Sequence, residues 1–287
     1  MSRERSLSIN KSKKRKMNSD QVIFNKIEDS SLYDQLLAQA IDYAILSIPF
    51  TFDRMGIRDL KKKIINIAKG KFAENLFFHF LSANKIEFDN QMTNTPFYSI
   101  DKRDFILKNI EWDIKNNFLI HENETLKPDE YIKLLGLIPH RGDWDQWGKR
   151  NIKYFPNTTS CGYVFTFMQK KQSKNGQDFF DLKYTFKQEI FLRDLYEKFQ
   201  GKQQAISPYE SKWFWHSFES LGGTYKLNCN YRPQMVITAI ALPDAFSKFD
   251  LYKPSQVTGK YMRTIIPNMG IPIGSLDSFK EFVFNND

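Results

Sequence analysis

The chain has 287 residues, is 41% hydrophobic and 15% aromatic, and carries a formal charge of +9. That suits one large domain or two small ones with a sizeable core, and it excludes wholesale disorder. It holds no apolar run of about 18 residues, so no membrane span is expected.

The charge is unevenly placed. Arg3, Arg5, Lys11, Lys13, Lys14, Arg15 and Lys16 face only Glu4 in residues 1–16, so the body is only slightly basic. The polar N-terminus has no apolar core after it, which argues against a signal peptide. Cys161 and Cys229 have no metal-ligand spacing. A reducing cytoplasm is the expected compartment.

Residues 1–20 read as a flexible basic tail. Lys13-Lys14-Arg15-Lys16 suits a phosphate-contacting arm or an import signal, or equally a solvated terminus. Residues 21–56 form an N-terminal helical segment. Its helix spans 31–48, with Ser31 and Asp34 as a capping box and Leu32, Leu36, Ala40, Tyr43 and Ala44 at helical spacing. Pro49 ends it. A second helix runs from Ile57 through Gly70 to Leu81, with Glu74 near the edge of its apolar face.

Strands are predicted at Lys85–Phe88, Phe97–Ile100, Asp104–Leu107 and Glu111–Ile120. Residues 121–160 read as a loop-rich insertion, followed by an apolar strand at Tyr163–Met168, a turn at Lys174-Asn175-Gly176 and a helix over 181–200. This 57–200 region is the predicted core, and 201–287 an α+β extension. The extension holds a helix at 209–221, a turn at Gly222-Gly223, strands at 225–231 and 234–241, and a short helix near 275–283. The predicted helices and strands together make an α/β chain.

The run from Asp104 to Lys115 carries the chemistry. Two apolar strands meet at a tight turn, Lys108-Asn109. Alternation puts Asp113 and Lys115 on one side, and strand pairing brings Asp104 near. Burying such charges is costly unless they bind something. Phosphodiester hydrolysis needs an activated water and neutralised phosphate oxygens, and Mg²⁺ takes carboxylates for that work. Asp104 and Asp113 fit as metal ligands with the Ile114 carbonyl, Lys115 fits beside the attacking water or a phosphate oxygen, and Glu74 fits a metal-held water or a second metal. The alternative is an exposed strand face with a surface ion pair. Asp101 is a rival to Asp104, and Glu111 shares the face of Asp113.

The order of a helical Glu74, then Asp104 on a strand, then Asp113-Ile114-Lys115 on the next resembles the PD-(D/E)XK nuclease superfamily, type II restriction endonucleases among them. Arg103 stands where the family name has proline, and the third acid is Asp rather than the commoner Glu. The resemblance covers roughly residues 57–120. It implies an α/β fold with a central mixed sheet flanked by helices, and a Mg²⁺-dependent endonuclease, with Mn²⁺ as substitute, that hydrolyses double-stranded DNA as a homodimer. A structure-specific repair nuclease and a non-catalytic nucleic-acid-binding protein of the same fold are the alternatives.

Candidate DNA contacts are Arg141, Lys149 and Arg150 in the loop that also holds Trp144 and Trp147, Lys170 and Lys171 near a charged turn, and Arg232 before Pro233. Each is matched by a plainer reading as a solvated or packing residue. His79, His121, His140 and His216 show no metal spacing.

Overall fold

The computed structural model describes residues 17–51, 59–93, 95–99, 103–121, 126–139, 161–171, 178–253, 258–259, 261–263 and 266–285. The basic tail before Met17, Asp101, Arg141, Lys149, Arg150, both tryptophans of that loop and the Lys174 turn lie outside these residues.

Two long helices come first. Helix α1 (Ser30–Ser47) is capped by Asp29, whose carboxylate accepts from the N–H groups of Ser31 and Leu32. The cap is therefore two residues earlier than the Ser31 expected, and Asp34 pairs with Arg232 instead. Helix α2 (Leu60–Ala83) is capped by Asp59 and runs unbroken through Gly70. The fully buried Leu37, Ile41 and Ile45 of α1 and Ile64, Phe72 and Phe77 of α2 share one apolar cluster.

The central sheet is mixed. Its strands are β1 (Ile23–Asn25), β2 (Phe105–Leu107), β3 (Ile110–His121), β5 (Cys161–Lys171), β8 (Met235–Ala241) and β13 (Asp277–Ser278), in the order β1-β8-β5-β3-β2 with β13 also on β8. Strands β3 and β5 are parallel and every other pair is antiparallel. Lys108 and Asn109 both take left-handed φ values, 50° and 59°, which is how a two-residue hairpin turn matches the twist of its strands. β8 comes from the stretch read as an extension, yet it is an interior strand.

The sheet is covered differently on its two faces. Trp112, Ile114, Val164 and Met168 face the helical layer. Leu119, Phe165 and Phe167 face the other way, toward a second cluster with a small antiparallel sheet, β4 (Leu135–Pro139), β12 (Asn268–Pro272) and β9 (Asp250–Tyr252). A one-turn helix, α3 (Pro128–Tyr131), precedes β4 and buries Tyr131 in that second cluster. A two-stranded ribbon, β6 (Phe180–Lys183) with β7 (Lys226–Cys229), joins the helical layer. Another, β10 (Thr258–Gly259) with β11 (Met262–Arg263), follows β9. The chain ends on α6 (Phe279–Phe284), whose Phe279 packs on Phe77. No helix among the described residues is long and apolar enough to cross a membrane.

Three expected elements differ. Lys85–Phe88 is no strand: Lys85 is left-handed (φ 56°) and Ile86 N–H returns to the Leu81 carbonyl at 2.9 Å, so Lys85 and Ile86 close the end of α2. Only Asp89 joins the sheet, by a bridge to Ile106. Phe97–Ser99 is a turn closed by Ser99 N–H on the Pro96 carbonyl, with the Phe97 ring held between Phe50 and Tyr209 by packing rather than a ladder. The helix predicted over 181–200 is a strand and then a helix, β6 and α4 (Phe186–Phe199). Thr185 and Gln188 form a reciprocal capping box that starts α4 there. Gln188 also donates to carbonyls of Phe218, in α5 (Ser211–Ser220), and Gly223.

Gly162 on β5 lies under Trp112, and a Cβ there would collide with the indole. Gly162→Ala should lower stability by about 1–3 kcal/mol in urea or thermal unfolding. No change would mean that the indole can move aside.

Candidate active site

Beyond Phe105 the chain stays against β3. Asp104 N–H donates to the Trp112 carbonyl at 2.9 Å, and its carboxylate Oδ2 accepts from Ile114 N–H at 2.5 Å. Asp104 thus brackets Asp113, bonding the strand on either side of it. The side chain takes over where the β2 ladder stops, so Ile114 N–H does not go unmet. In an extended strand the Ile114 carbonyl points to the same edge as its N–H. The Thr93 hydroxyl donates to the Asp104 carbonyl at 2.8 Å.

Asp104 lines a cleft of about 200 Å³ with Glu74 and Lys71 of α2, Tyr43 of α1, Arg103, and the loop residues Asn90, Gln91, Thr93 and Thr95. Glu74 comes from the α2 face beside the apolar run Phe72, Ala73, Leu76 and Phe77, so its carboxylate is carried to the sheet edge by core packing. It is only 15% exposed and bonds Lys71 Nζ at 2.5 Å.

Asp113 and Lys115 do not line this cleft. They alternate with the helix-facing Trp112 and Ile114, so they point to the opposite side of β3. Lys115 Nζ sits 2.6 Å from both oxygens of Asp113, and its charge lies 5.7 Å from the Tyr163 ring centre. The two side chains are 21% and 16% exposed, so this pair is poorly screened by water. Among the described residues no three His, Cys, Asp or Glu side chains gather as a metal-holding group.

Arg103 joins the two halves. It lines the cleft, and its Nε lies 3.2 Å from the half-exposed Glu111 carboxylate on β3. Nearby Cys161 is buried at the start of β5. Burial, the largest influence, raises its thiol pKa; Arg103 and Lys115 pull it down, and Asp113 pushes it up.

Sequence reasoning placed Glu74, Asp104, Asp113, Ile114 and Lys115 together. The structure brings Glu74 to Asp104, and Asp104 to Ile114, while Asp113 and Lys115 pair on the other face. Sequence reasoning gave no role to Lys71, Arg103 or Thr93, which line the cleft. Lys71 stands three residues before Glu74 at helical ion-pair spacing, the one signal that pointed to it. Of the candidate DNA contacts, Lys170 and Lys171 end β5. Arg232 holds Asp34 through a bidentate pair, the shorter contact at 2.8 Å, and stitches the segment before β8 to α1.

Asp104→Ala removes the acceptor of Ile114 N–H and should cost about 1–3 kcal/mol of stability, whereas Asp104→Asn keeps an acceptor and most of that stability. Chemical denaturation of both variants checks this. Because burial raises the Cys161 thiol, it should react with a thiol reagent at pH 8 far more slowly in the native than in the unfolded protein. A native rate equal to the unfolded one would contradict its burial. No protein-family model, curated protein or solved structure matches the chain.

Proposed function

We propose that the chain is a metal-dependent DNA endonuclease of the PD-(D/E)XK kind, similar to type II restriction enzymes. One observation carries the reading: Asp104, at the end of β2, grips the N–H of Ile114 between Asp113 and Lys115 and shares a cleft with the helical carboxylate Glu74. A helical acid and a strand-end Asp thus share a cleft beside the backbone of an Asp-x-Lys strand, whose own Asp113 and Lys115 side chains pair on the other face.

The donor set fits a hard divalent cation. Glu74 and Asp104 line the cleft and offer oxygen, with the Ile114 carbonyl on the neighbouring strand edge, and Mg²⁺ needs only one or two carboxylates besides waters and substrate oxygens; Asp113 would join only by leaving Lys115. Bound there, Mg²⁺ or Mn²⁺ would polarise the phosphoryl group and make water a better nucleophile. The chain's own residues do the rest. Asp104 is aimed by its bond to Ile114. Lys115 would supply a positive charge for the attacking water or a phosphate oxygen once it leaves Asp113 and turns toward the sheet edge. Two copies would cut the two strands of duplex DNA, so the enzyme is read as a homodimer. The free thiols Cys161 and Cys229 suit a reducing cytoplasm.

A second reading rests on a specific observation: Asp113 and Glu74 are each already neutralised by a lysine of their own. A protein that only binds nucleic acid would keep such pairs to lessen repulsion of phosphate.

Plasmid DNA incubated with the protein and Mg²⁺ should be cut, and Asp113→Asn and Lys115→Ala should each slow cutting at least about a hundredfold. Discrete fragments would mark sequence specificity; cutting of flaps or junctions alone would mark a structure-specific nuclease. Equal cutting by both variants would remove this site. Binding of DNA without cutting in Mg²⁺ or Mn²⁺ would favour the binding protein.

A further inference from the structure

Lys71 and Glu74 have the spacing of an ordinary helix ion pair, but not its surroundings. Two other pairs at helical spacing, Lys133–Asp129 and Arg193–Glu189, keep both partners at least a third exposed. Such pairs are solvated and weak. Lys71 and Glu74 are only 27% and 15% exposed, and the Lys71 ammonium lies 4.9 Å from the centre of the Tyr43 ring. Their cleft also holds the Asp104 carboxylate. Its other cation, Arg103, is shared with Glu111 outside. Two acids thus share this cleft with two cations, and Lys71 is the one bonded directly to Glu74.

We propose that Lys71 is the internal counter-ion of this cleft: it holds Glu74 in the absence of metal and must yield when a divalent cation enters, so it sets the cation concentration at which the site fills. It is a positioning residue, acting through Glu74. The inference rests on the metal-binding half of the function proposed above. A cation arriving beside Glu74 meets an ammonium within a few ångströms, and in a partly buried site that repulsion is large enough to shift affinity by an order of magnitude. Removing the ammonium leaves the two carboxylates for the incoming charge.

The test is titration of the full chain with Mn²⁺ alone, following free Mn²⁺ by electron paramagnetic resonance. Lys71→Met should bind Mn²⁺ roughly tenfold tighter than wild type. Lys71→Arg, which keeps the charge, should match wild type, and Glu74→Gln should bind more weakly. Lys71→Gln replaces Lys71→Met if the latter does not fold, and carries the same expectation. Binding by the neutral variants but not by wild type also supports the proposal. Equal or weaker binding by the neutral variants overturns it, as does the absence of Mn²⁺ binding in every protein. Cleavage is read separately. Tighter Mn²⁺ binding without DNA cutting by wild type would sink the nuclease reading and leave the role of Lys71 standing; cutting with unchanged Mn²⁺ affinity would do the reverse.

Discussion

The Lys108-Asn109 turn sets the register of β2 against β3, and with it the side of the sheet that each residue from Phe105 to Lys115 faces. Trp112 and Ile114 go into the helical core; Asp113 and Lys115 go to the opposite face. A slip of one residue would exchange the two sets and bury the charges among phenylalanines. The buried indole of Trp112 opposes such a slip, since it stacks on Phe105, donates to the Leu107 carbonyl at 3.1 Å and fills the space left by Gly162. The Asp104 bond to Ile114 continues the same register past the last ladder pair.

Much of this was legible in the residues. Two apolar runs separated by two turn-forming positions describe a hairpin, and the spacing of Leu36, Ala40 and Ala44 describes a helix. Apolar β-strands such as Cys161–Lys171 and Met235–Ala241 stand out by composition. The failures have physical causes. Ile86, Phe88 and Phe97 look like strand residues because they are apolar and large, yet they are used as plugs against α2 and the Phe50–Tyr209 cluster. The Thr185–Gln188 capping box was present in the sequence but was overridden by the helical spacing around it.

The site was legible in kind and not in arrangement. Residue type and order point to Glu74, Asp104, Asp113 and Lys115, but alternation counted from Asp104 assumes that the strand reaches that far. It stops at Phe105, and Asp104 turns toward α2. Lys71, Arg103 and the loop around Thr93 enter through tertiary contacts that no local pattern encodes. The helical layer likewise depends on distant partners: Lys69 of α2 is buried against Asp178, and Tyr225 reaches Asp42 of α1 at 2.7 Å.

The interior position of β8 has a consequence for how the chain acquires its shape. Among the described residues the earliest strand, β1, pairs only with β8, and the parallel pair β3–β5 presents an open edge until β8 arrives. During synthesis the acidic hairpin and both long helices emerge well before the strand that closes their sheet. Contacts between such distant segments make folding slow, and the waiting edge of β5, rich in phenylalanine, is a place where nascent copies can pair with one another. Assembly of this protein is therefore most vulnerable in the interval between completing β5 and completing β8.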